Sequence, residues 1–184
     1  MHHITGILSL IVLTGCATLN KQDCMHGDWY GVGSKDGLAG ETSNRLSDHI
    51  KACNEYGIAV DNNAYMAGRE QGLRDYCRLD NAFTTGLNGQ PYHHVCPPHI
   101  DSVFANYHST AYKVHEDQAE LDKIDNDLSS KESQLRDKKL SEKDRSRIRD
   151  DIRSLDRQRD RVRDNLHLHE RQLDYLRHEA RTAR

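Results

Sequence analysis

From His99 to Arg184 the chain contains neither glycine nor proline, and its apolar residues recur every three or four positions. No other feature restricts the fold as strongly. Proline interrupts a helix and glycine weakens one by up to about 1 kcal/mol, so a long stretch free of both favours uninterrupted helix. Tyr107, Val114, Leu121, Leu128 and Leu135 are spaced by seven, with Ala111 and Ile124 between them. A second stripe runs through Ile148, Ile152, Leu155, Val162, Leu166, Leu173, Leu176 and Ala180 in steps of four and three. Only Arg159 and His169 break it. This is coiled-coil spacing.

The two stripes do not share one frame, because Leu135, Leu140 and Ile148 fall out of register. Ser141, followed by Asp144 three residues later, reads as a helix N-cap. The spacing therefore predicts a turn near 139–141 and two arms of about 40 residues, each roughly 60 Å long. His99–Ser141 carries six basic and nine acidic residues, and Glu142–Arg184 carries thirteen basic and ten acidic. Arms of net −3 and +3 attract, which suits an antiparallel hairpin. A single continuous helix in an intermolecular coiled coil is the alternative.

Residues 16–98 follow a different grammar, rich in glycine, asparagine and cysteine, and Pro97-Pro98 marks the change. A weak repeat is present. Tyr30, Tyr65 and Phe83 are followed three residues later by Gly33, Gly68 and Gly86, and then by Gly37, Gly72 and Gly89. Glycines four apart share a helix face and allow another backbone to approach. Short helices are expected over 28–39, 47–56, 62–77 and 80–87, with Ser47 and Asp61 as N-caps and Gly57 as a stop. Turns between short strands are the competing reading, disfavoured by the absence of apolar alternation. The fold class expected is all-α, a small disulfide-stapled helical domain followed by a long coiled-coil hairpin.

The start of the chain has its own signature. An apolar run from Ile4 to Leu13 precedes Leu13-Thr14-Gly15-Cys16. That run is too short to span a bilayer and matches the apolar core of a signal peptide. The Leu-Thr-Gly-Cys ending resembles a lipobox, so residues 1–15 are expected to be removed and Cys16 to carry covalent lipid. Four further cysteines, Cys24, Cys53, Cys77 and Cys96, are even in number and lack metal-type close pairs. In an oxidising compartment they read as two disulfides. Three connectivities are possible. Cys24–Cys53 with Cys77–Cys96 is preferred because it closes consecutive helix pairs.

Enzyme signatures are missing. There is no Gly-x-Ser-x-Gly elbow, no His-Glu-x-x-His, and Gly31, Gly33 and Lys35 do not keep phosphate-loop spacing. The net charge of −3 and the aspartates interleaved among Arg145–Arg163 argue against nucleic acid. Histidines are abundant. A turn near residue 140 would bring His115 toward His167 and His169, the group a metal site would draw on, and would place His108 near Leu173. Scattered surface histidines are the favoured reading, so no metal is assigned. Tyr30, Tyr65, Arg69 and Tyr76 are the residues available to line a small pocket.

Several fragments together resemble one family. They are Cys24-Met25-His26-Gly27-Asp28-Trp29-Tyr30, Gly33-x-x-Asp36-Gly37, Asp48-His49-x-x-Ala52-Cys53 and Ala64-Tyr65-x-x-Gly68-Arg69-x-x-Gly72-Leu73-x-x-Tyr76-Cys77, followed by Gly86, Tyr92 and Val95-Cys96-Pro97. The pattern is similar to an uncharacterised proteobacterial lipoprotein family, domain of unknown function 2799, whose members continue into a charged helical tail. The resemblance implies an envelope lipoprotein and brings no catalytic residues. With Ala17 after Cys16, the expectation is a non-enzymatic lipoprotein of the outer membrane facing the periplasm. It would need no cofactor beyond its lipid and would bind an envelope protein partner through the hairpin. A periplasmic ligand binder, metal binder or stress sensor is the alternative.

Overall fold

The structure is a computed structural model that describes residues 19–182. Among them are seven helices and no strand: α1 Lys21–His26, α2 Trp29–Leu38, α3 Asn44–Asn54, α4 Asn62–Tyr76, α5 Leu79–Leu87, α6 Pro98–Leu135 and α7 Glu142–Thr182. The all-α expectation holds. One short helix went unanticipated. α1 is held by a capping box in which the Asn20 side chain accepts from Gln22 and Asp23 amides while the Asp23 carboxylate accepts from Asn20 N. Gly27 closes it in the left-handed conformation.

Two local assignments shift. α3 starts at Asn44, so Ser47 lies inside the helix rather than capping it. Gly57 adopts a left-handed φ of 69°, but three residues beyond the helix end, in the following turn. Asp61 caps α4 as expected, accepting from the Asn63 and Ala64 amides at 3.0 Å.

The repeated glycines set the packing. α2 and α4 cross with Gly33 and Gly37 against Gly68 and Gly72, so close that any Cβ would overlap backbone of the opposite helix. Gly86 repeats the device between α5 and α6, where its neighbours are the His108 carbonyl and the small Ala111. Gly89 does something else: it forms a left-handed turn after α5. The disulfides follow the local pairing. Cys24–Cys53 sits in a core with Trp29 and Tyr65, and Cys77–Cys96 joins a larger core around Phe83, Phe104 and Tyr107.

That larger core does not end at Pro98. Pro97 and Pro98 start α6, and its first turns bury Phe104, Tyr107 and Ala111 against α5. Leu173 and Leu176 of α7 return to the same core, with Ala180 packed on it and the Arg177 guanidinium over the Phe83 ring. Both arms of the hairpin are thus rooted in the domain. Farther out Ile124, Leu128 and Val162 form a separate seam with Leu121, Ile152 and Leu155.

The turn spans residues 136–141, slightly earlier than the sequence indicated. Ser141 Oγ accepts from Asp144 N at 3.1 Å and donates to the Asp144 carboxylate at 2.6 Å. Arg145 reaches back to the carbonyls of Leu135 (2.8 Å) and Asp137 (2.6 Å), satisfying acceptors that the end of α6 leaves open. The two breaks in the α7 stripe are polar links between the arms, alongside Lys131–Asp151 and Gln158–Glu120. Arg159 pairs with Asp125 at 3.6 Å and His169 with Asp117 at 2.6 Å.

Candidate functional site

A groove of about 620 Å³ lies where the domain passes into the hairpin. One wall is the segment between α5 and α6, held at one end by the Gly89 turn and at the other by the Cys77–Cys96 bridge. The other wall is a face of α6 bearing Ala105, Ser109, Tyr112 and Glu116, with Asn106 and Lys113 beside them.

Tyr92 organises the segment. Its hydroxyl accepts from Cys96 N at 3.2 Å and donates to Asp101 Oδ1 at 2.5 Å. Asp101 Oδ2 lies 3.0 Å from His94 Nδ1, which donates to it. Tyr92 and then His94 hold the Asp101 carboxyl below its ordinary pKa, whereas burial, then Asp101, pushes the Tyr92 phenol well up. The phenol therefore stays protonated. His94 is exposed and has a φ of 52°, the only positive φ among the described non-glycine residues. Its ring stands 4.9 Å from that of Tyr92.

Two histidines fasten the segment to α6. His108 Nε2 donates to the Gln90 carbonyl at 2.7 Å and His115 Nδ1 to the Leu87 carbonyl at 3.1 Å; the carbonyl acceptors dictate which nitrogen carries hydrogen. Burial lowers the His108 pKa, partly opposed by the Gln90 bond, so this ring is neutral. The rings of Tyr92, His108, Tyr112 and His115 follow one another with centroids 5.7–6.0 Å apart. The first three of these rings line the groove as an aromatic floor, with amide, hydroxyl and charged groups at its rim.

A second polar cluster is buried between α2, α3 and α4. Asp36 Oδ2 accepts from Tyr65 Oη at 2.7 Å and from His49 Nε2 at 2.8 Å. His49 is 2% exposed and its Nδ1 has no hydrogen-bond partner. Burial works to raise the Asp36 pKa, but the bonds from His49 and Tyr65 and the charges of His49 and Arg45 outweigh it and leave it lowered. Arg69, also buried, donates from Nη2 to the Glu41 carbonyl at 2.6 Å. This cluster ties three helices together.

The sequence candidates meet different fates. Cys16 lies outside the described residues. His115, His167 and His169 do not converge: the first bonds to Leu87, the second pairs with Glu170 at 3.4 Å, and the third faces Asp117. Among the described residues no three His, Cys, Asp or Glu side chains form a metal-holding group. Tyr65 and Arg69 share a neighbourhood, but Tyr30 is exposed and Tyr76 packs in the other core. Sequence reasoning missed Asp36, His94 and Asp101. Asp36 and His49 do stand in the motifs that carried the family resemblance.

Residues 28–113 match a family described as a protein of unknown function, DUF2799, so the chain carries that domain. The match takes in both polar clusters and the first turns of α6, and it stops before the hairpin leaves the core. No curated protein and no solved structure matches the chain.

Proposed function

We propose that this is a non-enzymatic cell-envelope lipoprotein, anchored in the outer membrane through lipid on Cys16 and facing the periplasm. Its hairpin acts as a scaffold that binds another envelope protein. The rooting of both arms in one core carries this reading, because it makes the outer part of the hairpin, about 35 Å long, an extension of the domain. Leu168 and Tyr175, seven residues apart on α7, are 54% and 67% exposed and offer an apolar contact near the root of the hairpin. Two disulfides suit an oxidising compartment. No helix among the described residues is long and apolar enough to cross a membrane. One acyl chain binds only reversibly, and stable anchoring takes more than one.

The reading requires no metal, cofactor or nucleic acid. Five Asp–Arg pairs at i,i+3 on α7, among them Asp144–Arg147 and Asp160–Arg163, balance its arginines locally. Labelling with radioactive palmitate tests the anchor: incorporation should disappear in Cys16→Ser, and an unlabelled wild type would refute it. In-cell cross-linking tests the scaffold. A product formed by the wild type should be lost in Leu168→Glu/Tyr175→Glu with helicity unchanged. Ligand binding in the groove is the second reading, favoured by its volume and aromatic floor.

A further inference from the structure

We infer that the groove between the Tyr92–His94 segment and α6 is a binding site for an oligosaccharide. Three observations converge on that class of ligand. The floor is a row of rings, and the flat, weakly polar faces of sugar rings stack on aromatic faces. Around the floor stand Asn106, Ser109, Lys113 and Glu116, whose donors and acceptors match sugar hydroxyl and acetamido groups. Lys113 and Glu116 oppose each other in charge, and Asp101 is already engaged by Tyr92 and His94. The groove thus has no excess of positive charge to select a phosphate.

Shape agrees with chemistry. The lining of α6 extends from Ala105 to Glu116, about 16 Å along the helix axis, which suits an extended chain of rings better than a compact metabolite. His94 gives the third indication. Its left-handed backbone is unfavourable for a residue with a side chain, and strain of this kind is found at ligand clamps. What the strain achieves here is visible: an exposed imidazole held beside Tyr92 with its Nδ1 fixed on Asp101, so that the ring's orientation at the rim is set.

The inference deepens the ligand-binding reading of this site, and the envelope assignment enters only in saying where a glycan would be met. Calorimetric titration of the intact chain in detergent, with N-acetylglucosamine tetramer and with maltotetraose as probes, tests it. Saturable binding of at least one is expected. Tyr112→Ala should weaken it tenfold or more, and Asn106→Ala, at an exposed position, should weaken it with the fold unchanged by circular dichroism. His94→Gly should also lose affinity while its thermal midpoint stays level or rises, since glycine accepts the backbone conformation without strain. Failure of both sugars, or affinity unchanged in Tyr112→Ala and His94→Gly, overturns the site. Saturable binding of an alanine-rich peptide with neither sugar bound overturns the ligand class. Palmitate labelling is read separately, so loss of the anchor and loss of the groove are distinguishable.

Discussion

Gly33 and Gly68 occupy equivalent places on opposite sides of one helix crossing. A methyl group on Gly33 would overlap the Tyr65 carbonyl oxygen, and one on Gly68 would overlap the Tyr30 carbonyl oxygen. Gly37 and Gly72 continue the relationship one turn along, against the Arg69 and Ser34 carbonyls. Since backbone rather than flexible side chain stands in the way, the helices must separate to admit even alanine. Gly68→Ala should lower stability by about 3 kcal/mol, toward the severe end of overpacking. Gly57→Ala meets nothing within 4 Å and carries only the left-handed penalty, about 1 kcal/mol. Urea midpoints of the two variants should differ accordingly.

Removing the phenol that donates to Asp36 tests the buried cluster. Tyr65→Phe should cost about 2 kcal/mol at neutral pH, because a bond to a charged group is lost in a buried place. The pH dependence follows from the lowered Asp36 pKa. Its contribution is complete above 3.8, the ordinary value, and is lost as pH falls below that toward the carboxyl's own folded value. Asp36→Asn should flatten this acid limb in denaturation curves recorded between pH 5 and pH 2.

His108 titrates in the opposite part of the range. Its folded pKa is depressed, so the unfolded chain takes up a proton that the buried ring refuses. Stability conferred by the neutral ring is full above pH 6.5, falls as pH drops below that value, and levels off below the ring's own pKa. His108→Gln keeps a donor for the Gln90 carbonyl but cannot titrate. The difference in denaturation midpoint between variant and wild type should therefore change between pH 7.5 and pH 5, in favour of the variant at low pH.

The cross-arm pair of Asp117 and His169 gives a test of register. His169→Leu completes the apolar stripe yet strands a carboxylate that is only 13% exposed, and should destabilise by about 1–2 kcal/mol. Adding Asp117→Ala should restore stability to the wild-type level or above. A double-mutant cycle by thermal denaturation measures the coupling, and strict additivity would show that the pair contributes nothing.

Much of this fold is legible in the chain because its strongest signals are local. Absence of glycine and proline, steps of three and four, and a serine three residues before an aspartate each act within one or two helical turns. Glycine spacing also works, since the reason for it is steric and repeats in Gly33, Gly37, Gly68 and Gly72. The histidines show where such reasoning stops. Numbers that sum to about 280 place His115 and His169 at similar heights on the two arms but do not say which way each points. His115 turns toward α5 and His169 toward Asp117. The Asp36–His49 contact joins two helices through polar side chains thirteen positions apart, which no hydrophobic period reports. His94 carries no signal at all, because a strained backbone is imposed by the ring and carboxylate around it.

The return of Leu173 and Leu176 to the core of Phe83, Phe104 and Tyr107 gives the fold an order in time. Residues near the end of the chain are needed to close a core whose first members lie some ninety positions earlier. During synthesis α5 and the start of α6 remain half covered until the second arm has emerged and folded back. Closure of this core therefore waits on the second arm. A chain stopped short of Leu173 would expose the apolar faces of Phe83 and Tyr107, a surface prone to aggregation.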